Sequence, residues 1–155
     1  MNSSILRRFC LVMVAVSLFV VSAAGQEKKV TRKQLPAVVT TAFKVAYPNA
    51  TIRGYARERE NGKVYYEIES VEGQTTRDVL YNPDGTTAEI EESIAAGDLP
   101  AEAAEALHAK YPKAVIAKAE KITRGDVIEY EVSARQGKKR ISMEFDAGGK
   151  PLKKS

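Results

Sequence analysis

Cysteine, histidine and tryptophan are almost missing from this sequence, whose 155 residues include one cysteine, one histidine and no tryptophan. Cys10 lies in a segment that we expect to be removed, so no disulfide would brace the mature chain and its core alone must hold the fold. His108 falls on a predicted helix beside the apolar stripe, where a solvated side chain is expected. Structural metal sites and catalytic cysteines are therefore not predicted.

Catalytic motifs are also missing. The sequence contains no Gly-x-Ser-x-Gly, no phosphate-binding loop and no His-Glu-x-x-His. A hydrolase triad would have to combine His108 with an isolated serine such as Ser133 or Ser142, and both serines fall in predicted strands. We predict a protein that is not an enzyme, with no catalytic residues, no metal ligands and no cofactor.

One long apolar run stands near the N-terminus. Leu11–Val21 follows the basic pair Arg7 and Arg8 and precedes the small residues 22–25. This order is typical of a secretory signal peptide, and the run is shorter than the roughly 20 residues that a membrane-spanning helix needs. We predict that residues 1–25 are a signal peptide and that the mature chain is periplasmic or secreted, without a membrane attachment.

Neither sign of charge predominates. The chain has 24 basic and 20 acidic residues, and 22 basic residues remain when Arg7 and Arg8 are set aside. This balance argues against nucleic acid and anionic membranes as partners. The basic cluster Lys138–Arg140 falls at a predicted hairpin, without the row of exposed aromatic residues on which single-stranded nucleic acid stacks.

An internal repeat organises the rest of the chain. Leu-Pro-Ala at 35–37 begins a segment that ends with Tyr-Pro at 47–48, and the same motifs recur 64 residues later at 99–101 and 111–112. Apolar residues at helical spacing between the motifs predict an amphipathic helix in each segment. Proline suits the first turn of a helix, and the second proline ends it. The predicted helices are 35–46 and 100–111.

Alternating apolar and polar residues after each helix predict antiparallel strands joined by short turns, of which Asn61-Gly62 is a strong hairpin signal. The alternation matches between repeats, since Tyr66-Glu67-Ile68 corresponds to Tyr130-Glu131-Val132. It matches poorly in the first strand after each helix, where we expect a bulge or a change of face. The residues predicted to face the helices are Val64, Tyr66, Ile68, Val79, Tyr81, Ile128, Tyr130, Val132, Met143 and Phe145.

The predicted fold class is α+β. Two tandem α-β-β-β(-β) repeats, residues 34–94 and 95–155, follow a flexible leader at 26–33. Neither repeat has enough apolar residues to form a core of its own, so we expect the two to share or extend one sheet, with the helices packed on one face.

The tandem Leu-Pro-Ala…Tyr-Pro helices, the Tyr-Glu-Ile or Tyr-Glu-Val strands and the (Asn/Asp)-x-x-Gly turns resemble the PepSY-like, beta-lactamase-inhibitor-like family over residues 35–152. The resemblance implies an exported bacterial protein with helices on one side of an antiparallel sheet and the other side open. In relatives that inhibit enzymes, the open sheet and its loops make the contact. No motif specific to lactamase inhibition is present, so no residue role is carried over.

Two tyrosines mark the predicted open face, and tyrosine and arginine are enriched at binding hot spots. We predict an exported non-catalytic module that binds a protein or peptide there and that inhibits or regulates an envelope enzyme or protease. The candidate partner-binding residues are Tyr55, Arg57, Arg59, Tyr65, Glu67 and Leu80.

The glutamates on the same face leave a second hypothesis open, a periplasmic sensor for a small ligand or cation, because paired carboxylates can hold Ca²⁺. These glutamates are Glu67, Glu69, Glu129 and Glu131. The sequence favours a solvated face on which basic residues balance them across the strands. The basic residues in question are Arg53, Arg57, Arg59 and Lys121.

Overall fold

The computed structural model describes residues 26–153, and the predicted signal peptide lies outside them. Two α-helices and two short 3₁₀ helices alternate with eight strands in this part of the chain. None of its helices has both the length and the apolar character needed to cross a membrane. The elements are β1 (Gln26–Lys29), a 3₁₀ helix (Arg32–Gln34), α1 (Ala37–Ala46), β2 (Thr51–Glu60), β3 (Lys63–Glu72), β4 (Thr75–Tyr81), β5 (Thr87–Ile94), a second 3₁₀ helix (Ala96–Asp98), α2 (Ala101–Lys110), β6 (Val115–Arg124), β7 (Val127–Gln136) and β8 (Lys139–Asp146).

The eight strands form one antiparallel sheet in which each strand lies beside its neighbours in the chain. β4 pairs with β5, and β5 pairs with β6, which follows α2 in the chain. The hydrogen-bonded ladder therefore runs without a break from one repeat into the next. The predicted α+β class, with tandem repeats on a shared sheet, is confirmed.

The two repeats match element for element at an offset of 64 residues. α1 and α2, β2 and β6, and β3 and β7 each begin and end 64 positions apart. The offset also relates β1 to β5, because Gln26 pairs with Arg59 and Ile90 pairs with Thr123. Each structural unit thus begins with a strand, so that β5 is the first strand of the second unit rather than the last strand of the first.

The segment 26–33, predicted as a flexible leader, is mostly regular structure, so that prediction was wrong. β1 pairs with β2, and the backbone N–H of Val30 donates to the carbonyl of Tyr55 at 3.0 Å. Thr31 and Gln34 then form a capping box around the 3₁₀ helix. Residues 26–29 show no strand pattern because a four-residue edge strand held by backbone hydrogen bonds needs no alternating side chains.

Both helices pack on the same face of the sheet, each over the strands of its own unit. This arrangement gives two core clusters on one sheet, because each helix is too short to reach the strands of the other unit. The first cluster contains Leu35, Val39, Phe43, Ile68, Val79 and Tyr81. The second contains Leu99, Ala103, Leu107, Ala114, Ala119, Val132, Ala134, Ile141 and Phe145.

A β-bulge interrupts β2, and a second bulge interrupts β6 at the equivalent position. Ile52 lies opposite Ser70 and Gly54 lies opposite Glu69, so Arg53 is the extra residue. The expected irregularity in these strands is confirmed. Because an extra residue shifts the two-residue alternation by one, Ile52 and Tyr55 both face the helices.

The turns that follow β4 and β8 lie against the N-termini of the helices. Gly85 and Gly149 have φ angles of 86° and 89°. A Cβ atom on Gly149 would lie 2.7 Å from the backbone nitrogen of Ala103, and one on Gly85 would lie 2.8 Å from a methyl of Val38. The glycine that ends each (Asn/Asp)-x-x-Gly turn is thus required both by backbone angle and by the helix beside it.

Replacing Gly149 by alanine is expected to lower the free energy of unfolding by about 2 kcal/mol, because the new methyl group meets helix backbone that cannot move aside. Gly137→Ala is the matched control, since Gly137 also has a positive φ of 60° but no atom lies within 4 Å of its Cβ position. Urea denaturation of the two variants measures the difference. Equal losses would show that only the backbone angle matters.

Candidate partner-binding face

The sheet has one face free of helices. Both core clusters lie on the other face, and cross-strand register assigns every strand residue to one side or the other. We call the helix-free side the open face. Its rows include Gly54–Glu69–Asp78–Glu91–Ile122–Glu129–Asp146 and Ala56–Glu67–Leu80–Glu89.

Three of the six predicted partner-binding residues are not on the open face. Tyr55 lies opposite Ile68 and packs against the first core cluster. Arg57 lies opposite Tyr66, and Arg59 follows two residues later on the same side. The prediction that these three share the open face was wrong, because the bulge in β2 reverses the alternation that it was based on.

Tyr65, Glu67 and Leu80 do lie on the open face. Tyr65 is half-buried opposite Glu58, and Glu67 and Leu80 are directly paired. Glu67 and Leu80 are only 7% and 8% exposed, so neighbouring side chains on the sheet already cover them. A role for these residues in partner binding stays a prediction.

Carboxylates dominate the open face. The basic residues that were expected to balance them do not lie on that face. Arg57, Arg59 and Lys121 pair across the strands on the helix side, and Arg53 occupies the bulge. The expected cross-strand balance is therefore not formed. The acidic strand residues on the open face are Glu27, Glu58, Glu60, Glu67, Glu69, Asp78, Glu89, Glu91, Glu120, Glu129, Glu131, Glu144 and Asp146.

Five of these residues cluster on β2–β5, and we call Glu58, Glu67, Asp78, Glu89 and Glu91 the acidic patch. Glu58 and Glu89 are 9% and 8% exposed, close to the exposure of core residues. All of the patch except Glu58 surrounds, together with Leu80, a crevice of about 10 Å³. That volume admits about one water molecule, so the patch is a packed surface of carboxylates rather than a pocket for a small molecule.

Few cations neutralise the patch. Arg124 Nε donates to Glu89 Oε2 at 2.5 Å, and its Nη1 donates to Glu129 Oε2 at 2.6 Å. Lys118 Nζ lies 2.5 Å from Glu120, beside the patch. Within residues 26–153, no salt bridge reaches the other four carboxylates of the patch.

Burial and the neighbouring negative charges raise the pKa of several carboxyl groups in the patch. Burial, together with the charges of Glu58, Asp78 and Glu27, raises the pKa of Glu67 to about 9. Burial and a hydrogen bond with Glu89 raise the pKa of Glu91 to about 8. Burial also raises the pKa of Asp78 to about 6.

Glu58 and Glu67 form a hydrogen-bonded carboxyl–carboxylate pair. Burial raises the pKa of Glu58, but its hydrogen bond with Glu67 acts in the opposite direction. Glu67 therefore carries the proton at neutral pH and donates it to the Glu58 carboxylate. One oxygen of Glu58, Oε1, is buried without any hydrogen-bond partner.

A second orphaned oxygen lies on the same face. Glu144 Oε1 is also buried without a partner, on β8 beside Glu131. Burial raises the pKa of Glu131. Both ends of the open face therefore hold a buried carboxylate oxygen that lacks a donor. Each such unsatisfied acceptor costs about 1–3 kcal/mol of folding free energy.

A larger cavity, of about 630 Å³, lies where the two units meet at the ends of β4, β5 and β6. Arg77 and Glu92 line it and pair at 2.6 Å, and the Arg77 guanidinium lies 4.1 Å from the centre of the Tyr47 ring. Within residues 26–153, no three Asp, Glu or His side chains are arranged to hold a metal ion. His108 is exposed on α2.

The family profile described as "Putative beta-lactamase-inhibitor-like, PepSY-like" matches residues 22–74 and 64–153. The chain belongs to this PepSY-like family. The two matches overlap within β3, the first ending before β4 and the second continuing through β8, which is consistent with tandem α+β repeats in one sheet.

Solved structures show that this PepSY-like fold recurs. A BLIP-like protein from Bacteroides fragilis is 22% identical, with 78% of this chain and 85% of that chain covered and a TM-score of 0.59. A "putative periplasmic" protein from Bacteroides eggerthii is 18% identical, with 77% and 86% covered and a TM-score of 0.64. A DUF2874 family protein from Bacteroides ovatus is 19% identical, with 77% and 86% covered and a TM-score of 0.61. No curated protein sequence matches significantly.

Proposed function

We propose that this PepSY-like protein is an exported, non-catalytic module of the periplasm that binds a partner protein through its open face. The observation that carries the proposal is the uncovered side of the eight-stranded sheet. Ala56, Leu80 and Ile122 on that side are buried to the same degree as core residues, although no helix of residues 26–153 lies over them. A rigid sheet with a densely packed outer surface supports binding of another protein.

The family and the N-terminal sequence support the cellular setting. The signal-like segment at 1–25 directs export, and the Bacteroides eggerthii neighbour carries a periplasmic description. The family description and the BLIP-like neighbour favour inhibition or regulation of an envelope enzyme or protease as the purpose of binding.

A small-ligand sensor is the second candidate function. The cavity of about 630 Å³ falls within the usual range for ligand sites, and Arg77, Glu92 and Lys118 line it with both signs of charge. We rank it second because Arg77 already has partners in Glu92, Glu72 and the Tyr47 ring.

Replacing Tyr65 and Val127 together by alanine is expected to weaken partner binding by at least about 2 kcal/mol if they are hot spots. Val127 lies on the open face opposite Arg124. Tyr65 is half-buried and Val127 is 56% exposed, so the fold should be unaffected. Wild-type and variant baits are compared on periplasmic extract, and the affinity of the recovered protein is then measured by calorimetry.

The control for this experiment is Val45→Ala, which removes a valine that is 78% exposed on α1, on the opposite side of the sheet. It should recover the partner as well as the wild type does. If the Tyr65 and Val127 variant also binds with unchanged affinity, the open face is a solvated surface and the proposal fails.

A further inference from the structure

We propose that the partner presents a segment bearing arginine or lysine, and that one of its cationic side chains is held between Glu58, Glu67 and Glu89 in the acidic patch. The proposal rests on the proposed function and specifies the chemistry of its partner.

Charge complementarity is the first argument. Among the strand residues that the structure describes, thirteen acidic residues lie on the open face against six basic ones, whereas Arg57, Arg59 and Lys121 lie on the helix side. The six basic residues are Lys29, Lys63, Lys118, Arg124, Arg135 and Arg140. The near-neutral total charge therefore conceals two faces of different sign. An acidic face attracts cationic segments over several ångströms and repels nucleic acid and anionic lipid.

The second argument is the orphaned acceptor. Glu58 is nine-tenths buried, its Oε1 has no donor, and it lies beside Glu67 within the patch. A guanidinium carries five N–H donors and binds carboxylates through paired hydrogen bonds. A cationic side chain supplies what Oε1 lacks, whereas a neutral or acidic partner leaves the acceptor unsatisfied.

The third argument is a contact of the same kind within the chain. The guanidinium of Arg124 bridges Glu89 on β5 and Glu129 on β7, with distances of 2.5 and 2.6 Å. The open face thus already binds one guanidinium between carboxylates of different strands. Glu58 and Glu67 form an adjacent pair on β2 and β3, and no salt bridge within residues 26–153 reaches either of them.

Proton release should accompany binding. The acidic groups that face Glu67 are Glu27 from β1, Glu58 from β2, Asp78 from β4 and Glu89 and Glu91 from β5. Lys29 of β1, opposite Ala56, is the basic residue in the same cross-strand row. A cation entering this set favours the ionised form of Glu67, whose pKa of about 9 keeps it protonated at neutral pH. Affinity for the cation should therefore rise between pH 6 and pH 9.

The test uses two fluorescein-labelled decapeptides, one of alternating arginine and alanine and one of alternating glutamate and alanine. Anisotropy at pH 8 and 50 mM NaCl should show at least tenfold tighter binding of the arginine peptide. Glu58→Gln should weaken that binding at least fivefold, and Glu91→Gln provides a second patch variant with the same expectation. Glu105→Gln, an equal charge change at an exposed position on α2, should have no effect.

Three results would overturn the proposal: equal binding of both peptides, equal losses in the Glu58 and Glu105 variants, or affinity that falls between pH 6 and pH 9. Selective displacement of the arginine peptide by 1 mM CaCl₂, with a melting temperature raised by calcium only when Glu58 is intact, would identify a metal site instead. If the Tyr65 and Val127 variant loses the natural partner but Glu58→Gln does not, the open face binds and only the cationic chemistry is wrong.

Discussion

Phe43→Ala should lower the free energy of unfolding by about 3–5 kcal/mol. Phe43 is 1% exposed in the first core cluster, and its ring centre lies 5.2 Å from that of Tyr47. Truncation removes buried apolar surface and leaves a cavity between α1 and the sheet, which the neighbouring strands cannot close. Urea denaturation followed by circular dichroism measures the loss, and Val45→Ala at an exposed position of α1 should change stability by less than about 0.5 kcal/mol.

The Phe43 variant also tests whether the two units unfold together. The ladder between β4 and β5 joins the units, and unfolding either unit would expose a full strand edge of the other. We therefore expect one cooperative transition in the variant, at a lower denaturant concentration, and the same result for Leu107→Ala in the second cluster. Two separate transitions would show that each unit is stable alone.

Glu67→Gln should raise the free energy of unfolding at pH 9 by about 2–4 kcal/mol. The pKa of Glu67 is about 9 in the folded protein and near 4.5 when unfolded, so the folded state binds more protons between these values. The free energy of unfolding of the wild type must then fall as the pH rises from about 5 to about 9. Glutamine keeps the hydrogen bond to Glu58 but cannot ionise, which removes this part of the loss.

Thermal denaturation at pH 5, 7 and 9 measures that effect. The Glu67→Gln variant should retain a weaker pH dependence, because Glu91 and Asp78 also have raised pKa values of about 8 and about 6. Glu105→Gln on α2 should follow the wild type at each pH. If the melting temperature of the Glu67→Gln variant falls with pH as steeply as that of the wild type, Glu67 is ionised in the folded protein.

Much of the fold could be predicted because its signals are local. Leu-Pro-Ala and Tyr-Pro mark where each helix begins and ends, and the residues predicted to face the helices do so. β1 could not be found, since Gln26–Lys29 has no pattern of its own and is defined only by its pairing with β2. The role of β5 as the first strand of the second unit likewise depends on pairing with β6.

The candidate site was predicted less well because it depends on which residues lie opposite one another. One extra residue at Arg53 turned Tyr55 toward the helices, and the sequence predicts only that a bulge lies nearby. Glu67 was correctly placed on the open face. Glu58, Asp78 and Glu91 join it there only through register across four strands, which no local pattern specifies.

The 64-residue offset allows equivalent positions of the two units to be compared within one chain. On the helix side, Tyr66 and Tyr130 are identical, and Ile68 corresponds to Val132. On the open face the correspondence is only partial: Glu67 matches Glu131, but Glu58 corresponds to Ile122, Asp78 to Ser142 and Leu80 to Glu144. The backbone is therefore pseudo-symmetric whereas its exposed chemistry is not, and a partner that recognises the open face meets two unlike halves. We therefore expect the proposed partner to bind as one molecule per chain and in one orientation.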